Sequence, residues 1–298
     1  MDIKEWSLAD SYEYCHQITK RSAKNFYYAF LTLPSDLRRA LYTTYAFCRV
    51  CDDVADNPDI SVPQKLKEIE NLRAGLEQTR NGQPRGPIFL ALRSTVLSYG
   101  IQWADLAEVL QGVHMDLTIN RYRTFKELQA YCYKVASAVG LICIQVLGYR
   151  DQKKARQYAE DFGLAMQLTN ILRDIREDMD SGRIYLPLED MDRFSYTEDD
   201  LRNRTVNEHF IQLMRFQISR ARQYFQEGKQ LLPLLPLRSR ACVAVLGGLY
   251  SQILVQIENR QYDVFTQRIS LSTKRKTWLT IKIAAQTFIP FPSLSMRW

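Results

Sequence analysis

The chain is short of histidine, with three in 298 residues, and its six cysteines form no metal-ligand pattern. Cys48 and Cys51 make a single C-x-x-C inside a helical stretch, with no second pair to complete a zinc site. The thiols therefore read as free cysteines of a core. No Gly-rich dinucleotide fingerprint is present, although an all-α enzyme needs none, so use of NADPH is left undetermined. Low-complexity linkers, internal repeats and Gly/Ser tethers are lacking too. Pro84-Arg-Gly-Pro87 is the strongest break and reads as a loop between helices, which makes residues 1–298 one domain. Long hydrophobic runs are missing. Val135 to Leu147 and Ala241 to Ile257 fall short of the roughly 20 residues of a membrane span, and Gln145 and Gln252 interrupt them. Both read as buried helices. The start, Met1-Asp-Ile-Lys-Glu-Trp6, lacks the basic-then-apolar pattern of a signal peptide, so a cytoplasmic protein is expected.

What the chain does contain is helical periodicity and positive charge. Residues are 46% hydrophobic and 24% charged, and the net charge of +7 attracts anions without naming them. Nucleic acid, membrane headgroups and diphosphates all qualify on charge. No nucleic-acid-binding motif and no aromatic-basic repeat supports the first. Oligomeric state leaves no mark. Apolar residues recur at helical spacing almost throughout, and β-branched alternation is scarce, so the predicted fold is all-α. Helices are expected at Leu8 to Phe30 with a break near Ser22, Asp36 to Asn57 capped by Ser35, Val62 to Arg80, Pro87 to Tyr99, and Trp103 to Thr118. Thr124-Phe-Lys-Glu127 is a capping box opening a helix to Gly148. Asp151 caps a long helix running to Asp180, with Gly163 placed for close packing. A polar loop follows Pro187, and then helices at Val206 to Leu232, Arg238 to Asp263 and Thr273 to Phe288.

Two acidic columns stand out. Gln167, Asn170, Asp174 and Asp178 are three, four and four residues apart, which places them on one face of a helix. Gly182 and Pro187 stop that helix, so the acids crowd its negative end and repel one another. The second column is Asp52, Asp53 and Asp56, closed by Asn57-Pro58, with Tyr45 and Arg49 extending its face. One such terminus is an ordinary solvated helix end. Two in one helical chain point to a cation cluster shared between facing helices.

Hard oxygen ligands of this kind suit Mg²⁺, which takes one or two carboxylates and fills its shell with water and phosphate. Paired clusters with arginines nearby make a diphosphate clamp that stabilises the leaving group. Arg49, Arg173 and Arg183 lie beside the acids and serve either a carboxylate or a phosphate. If the remainder of the substrate is hydrocarbon, the apolar helices shield the allylic cation left behind. The tyrosine stripe, including Tyr131 and Tyr250, reads first as core, with faces able to stabilise a cation.

Asp52-Asp53-Val-Ala-Asp56 and Asn170-Ile-Leu-Arg-Asp174-Ile-Arg-Glu-Asp178, with Tyr131-Cys-Tyr-Lys-Val-Ala-Ser-Ala-Val-Gly140 between them, resemble the squalene/phytoene synthase family from about Tyr14 to Lys276. The resemblance implies the class I isoprenoid synthase bundle with a central apolar cavity. It implies head-to-head (1′-1) coupling of two prenyl diphosphates through a cyclopropylcarbinyl diphosphate, with two or three Mg²⁺ ions. Asp52, Asp56, Asn170, Asp174 and Asp178 match the metal ligands, and Asp53 belongs to the first motif. Tyr45, Arg49, Gln167, Arg173 and Arg268 match diphosphate contacts, and Tyr131 and Tyr250 match tyrosines near the reacting carbons. Ser22, Lys24 and Asn25 correspond to an N-terminal flap, where Ala23 and Asn25 replace hydroxyl residues. Val-Ala-Ser-Ala-Val-Gly differs from the Val-Ala-Gly-Thr-Val-Gly of many phytoene synthases, which leans the expectation to farnesyl diphosphate and a C30 product, with geranylgeranyl diphosphate and phytoene as the alternative. A class I terpene cyclase and a non-enzymatic anion-binding scaffold are the more distant readings. The basic, apolar tail, residues 278–298, either rests on a membrane surface or packs on the bundle.

Overall fold

A computed structural model describes residues 6–23 and 25–288, and among these there is no strand, only one isolated bridge between Arg121 and Ile184. Fifteen α-helices account for most of the described residues. Helix α1 (Leu8–Ser22) starts where Ser7 Oγ accepts the Asp10 amide at 3.1 Å, and a break at Ala23 separates it from α2 (Phe26–Phe30). Helix α3 (Ser35–Asp56) carries the first acidic motif. Its N-cap is Pro34 rather than the expected Ser35, because Pro34 already holds the extended conformation that precedes a helix. Then come α4 (Val62–Arg80), opened by a Ser61–Gln64 capping box, α5 (Gly86–Tyr99), closed by left-handed Gly100, and α6 (Trp103–Thr118).

Thr124 caps α7 (Phe125–Cys132) as its sequence predicts, accepting the Glu127 amide at 3.2 Å. The helix expected to run unbroken to Gly148 is instead interrupted by a π-helical turn, Tyr133–Ser137, before α8 (Ala138–Leu147). That turn is gripped from both sides. A Cβ on Gly112 of α6 would meet Val135 Cγ1 at 2.5 Å, and one on Gly163 would meet the Ala136 carbonyl oxygen at 2.7 Å. Only glycine lets both neighbours approach this closely.

Helix α9 (Gln152–Arg173) is the axis of the bundle, packed along α8, the π turn and α13 (Glu208–Gly228). Between α9 and α13 lie α10 (Ile175–Asp180), α11 (Leu188–Arg193) and α12 (Glu198–Arg202), so the region predicted as a polar loop holds two short helices. The pair α11 and α13 is clamped by Arg220, which donates to buried Asp190 at 2.6 Å. A 3₁₀ turn (Lys229–Leu234) leads to α14 (Leu237–Asn259), and α15 (Thr273–Phe288) packs on it. By length and composition two 23-residue stretches, Phe125–Leu147 and Leu237–Asn259, could cross a bilayer. Both take their apolar faces into this core. Of the expected tail, Trp278 to Phe288 belongs to α15, and residues 289–298 lie outside the described residues.

Candidate active site

The second acidic motif does not sit on one continuous helix. The chain breaks at Asp174, with φ −106° and ψ 16°, so that α9 ends at Arg173 and α10 begins at Ile175. This corrects the expectation that the acids crowd a negative helix end. Glu177 and Asp178 instead occupy the first turn of α10. The Asp178 amide still bonds the Asp174 carbonyl at 2.9 Å, so the four-residue register survives the break.

Asp174 holds the break together. Arg173 Nε donates to its Oδ1 at 2.8 Å and Arg173 Nη2 to its Oδ2, while Arg268 Nε reaches Oδ1 at 2.9 Å across 94 residues. Burial works against ionisation of Asp174, but the two guanidiniums outweigh it and hold the carboxyl below its ordinary range. Arg49 is likewise spent on an acid, pairing with exposed Asp53 one turn along α3. Asp53 is thus turned to Arg49, on the solvent side of the motif.

Asp52 and Asp178 behave oppositely. Asp52 is open to the cleft, yet protein surrounds that cleft. Desolvation first, and Asp56 next, push its carboxyl up to about 7. Asp178 is also raised to about 7, by burial and then by Asp174. Asp116 of α6 acts on both of these carboxyls and on Arg183, which in turn feels Asp56, so the two motifs share one electrostatic field. Sequence spacing missed Asp116, since a single acid on an amphipathic helix carries no signal.

Asp116 Oδ1 accepts the Tyr185 hydroxyl at 2.7 Å, and that hydroxyl lies 3.5 Å from the Tyr131 hydroxyl. The ring of Tyr185 stacks on Tyr131 with centroids 5.2 Å apart, and Tyr122 adds a third ring 5.4 Å from Tyr131. Tyr122 and Tyr185 were not singled out by sequence. On the other wall, buried Tyr250 contacts Asn170 and Arg173. Phe26 brings the N-terminal segment to the site, its ring 5.8 Å from Tyr45 and 6.2 Å from Tyr250. Ser22 ends α1 and Asn25 precedes α2. Lys24 lies outside the described residues.

An apolar cavity runs inward from these groups. Asp52, Gln167 and Asn170 stand at its polar end, and Phe30, Val139, Cys143, Leu147 and Leu246 line its depth. The observed chemistry fits Mg²⁺ with a diphosphate. Asn170 Nδ2 donates to Gln167 Oε1 at 3.2 Å, which leaves Asn170 Oδ1 buried without a partner, and Arg183 Nε is equally orphaned. Buried polar atoms rarely stay unpaired, so both await a ligand. Among the described residues no three His, Cys, Asp or Glu side chains converge to cage an ion by themselves.

The family model described as squalene/phytoene synthase matches residues 19–275. The chain belongs to the squalene/phytoene synthase family. Among curated relatives of this synthase, the phytoene synthase of Arthrospira platensis is 40% identical over 280 residues, covering 90% of each chain. The 15-cis-phytoene synthase of Synechocystis sp. is 37% identical, covering 91% of this chain and 83% of its own. Among solved structures, a dehydrosqualene synthase in complex with ligand superposes with TM-score 0.87 at 30% identity, covering 94% of this chain and 97% of that one. The squalene synthase HpnC from Alicyclobacillus acidocaldarius gives TM-score 0.80 at 26% identity, covering 86% and 96%. The all-α isoprenoid synthase fold and the squalene/phytoene synthase type of prenyltransferase, which couples prenyl units head to head, follow for this chain. A terpene cyclase or a non-enzymatic scaffold no longer competes.

The stretch Val135 to Gly140 of this synthase, whose difference from Val-Ala-Gly-Thr-Val-Gly leaned the reading to a C15 substrate, departs from it at Ser137 and Ala138, and both are buried. Ser137 donates to the Glu160 carbonyl at 2.8 Å. It fastens the π turn to α9, and the cavity is lined by Val135, Ala136, Val139 and Gly140 instead.

Proposed function

We propose that this synthase condenses two C20 geranylgeranyl diphosphates to phytoene, with release of two diphosphates. The observation that carries the reading is the agreement of relatives spanning nine-tenths of the chain, from Arthrospira platensis, Synechocystis sp. and Synechococcus elongatus, all of them phytoene synthases. It favours the alternative over the farnesyl diphosphate expectation, which rested on the Val135 to Gly140 motif alone.

Mg²⁺ bound with substrate would neutralise the diphosphate and make it a better leaving group. Asp52, Asp56, Asn170, Asp174 and Asp178 are the residues to hold it. Arg173 and Arg268 are placed to exchange carboxylate for phosphate oxygens, and Arg183 to meet them with its unpaired Nε. The apolar cavity excludes water from a carbocation; Phe26 and Tyr45 line it together with Asp52, and Tyr250 backs Asn170, so these rings are the ones placed to stabilise positive charge. Coupling two C20 units with loss of two diphosphates and two protons closes the atom and charge balance without a reductant, so NADPH is not required for phytoene.

Purified protein with Mg²⁺ is given C15 and C20 diphosphates separately, with and without NADPH, and the lipids are identified by mass spectrometry. The expected result is a C40 hydrocarbon from the C20 substrate, with kcat/KM at least about tenfold above that for C15, since even a few methylenes in an apolar pocket discriminate this strongly. A C30 product formed more efficiently from the C15 substrate would overturn the assignment.

A further inference from the structure

The last described helix has two unlike faces. Inward, α15 buries Leu279 and sets Ile283 against Gly248 of α14, where any side chain would collide with it. Outward, it leaves Trp278 49% and Ile281 66% exposed, the latter the most exposed large apolar side chain among the described residues. These two are flanked by cations. Arg275 lies 5.0 Å and Lys282 4.8 Å from the centre of the Trp278 ring, with Lys274 exposed a turn earlier. The helix holds no acidic residue. A solvated helix face has little reason to display a tryptophan and an isoleucine between basic side chains. A helix lying in the headgroup region of a membrane has that composition, with apolar groups entering the acyl boundary and cations meeting lipid phosphates.

Its place in the fold adds a second reason. Helix α15 packs on α14 and α2, and the inner sides of those two helices line the apolar cavity through Cys242, Val243 and Leu246, and through Phe26 and Phe30. The outward face of α15 therefore sits above the roof of the cavity that would hold a hydrocarbon product.

We infer that the outer face of α15, centred on Trp278, Ile281 and Lys282, docks on an anionic lipid bilayer. The surface goes beyond the reaction proposed above, and its test involves no catalysis, so either can fail alone. Full-length protein is floated with vesicles rich in phosphatidylglycerol and with vesicles of phosphatidylcholine only. The wild type is expected to float with the anionic vesicles, to do so less at high salt, and to bind the neutral ones weakly. Trp278→Ser with Ile281→Ser lowers the bound fraction about tenfold, and Lys282→Glu about fivefold or more, since each basic residue near an anionic surface contributes about that factor. Circular dichroism and turnover in detergent stay unchanged in both variants. Failure to bind anionic vesicles, equal binding to neutral ones, or binding that the double variant does not weaken overturns the inference. So does loss of binding in a chain ending at Phe288, which would move the contact to residues 289–298. A self-association in solution that the double variant abolishes would assign the face to a second copy instead.

Discussion

Tyr185 donates its hydroxyl to Asp116 Oδ1 at 2.7 Å, joining two residues 69 positions apart. The contact ties α6 to the segment that leaves the second acidic motif, and it sets the Tyr185 ring against Tyr131. Asp116 is largely desolvated, which raises its pKa, and the two tyrosine hydroxyls act to lower it. A carboxylate that acts on both acidic motifs is thereby kept available as an acceptor, and its bond orients the stacked rings of Tyr185 and Tyr131.

Tyr185→Phe removes one donor from Asp116 and frees the Tyr131 ring to shift. If Tyr131 takes the place near the reacting carbons that the family resemblance implies, kcat should fall about tenfold or more while KM changes little. Steady-state kinetics with the C20 substrate checks this, and equal effects on kcat and folding temperature would reduce the bond to a packing contact. Asp116→Asn should lower kcat further, since it also alters the field at Asp52 and Asp178.

Asp174→Asn disconnects Arg173 and Arg268 from their shared carboxylate and takes away one proposed metal ligand. Turnover should drop about 10²-fold or more, in line with the loss of a group that stabilises developing charge. Asp53→Asn, which breaks only the exposed pair with Arg49, should cost less than about fivefold. Measuring both at several Mg²⁺ concentrations separates them: the Mg²⁺ requirement should rise for the first and stay for the second.

The acids also set a pH dependence of stability. Asp52 and Asp178 have folded-state values near 7, above the ordinary 3.8 they take in an unfolded chain. A raised carboxyl binds its proton more tightly when folded, so the stability it lends is complete below about pH 4 and is lost as pH climbs through about 7. In EDTA, Asp52→Asn with Asp178→Asn should therefore melt a few degrees above wild type at about pH 8, with the difference closing toward about pH 5. Mg²⁺ with pyrophosphate should raise the wild-type Tm more at the higher pH, because the ligands must shed protons first. A Tm gap that does not vary with pH would refute the electrostatic account.

Gly163→Ala tests the grip on the π turn. A methyl group there would lie 2.7 Å from the Ala136 carbonyl oxygen and 2.8 Å from Ser137 Cα, both backbone atoms with little room to yield. Overpacking of this kind costs about 1–3 kcal/mol, or roughly 3–10 °C in Tm for a domain of this size. Thermal denaturation at pH 7 measures it, and an unchanged Tm would show that α9 and the turn can part without loss.

The residue spacing by itself determined a good deal. Helical periodicity foretold an all-α chain, Thr124 announced its cap, and the spacing of the two acidic motifs put their side chains in register, because caps and i, i+4 columns depend on neighbours along the backbone. Long-range packing decided the remainder. That the Asp174 carboxylate meets Arg268 from 94 residues away is invisible along the helix. Whether Ser137 faces the cavity depends on the π turn and on the Glu160 carbonyl across the helix pair. Asp116, Tyr122 and Tyr185 carry no pattern on their own segments and acquire meaning only where three separate stretches meet. Periodicity along a chain tells which side chains share a face; only the packed structure tells what that face looks at.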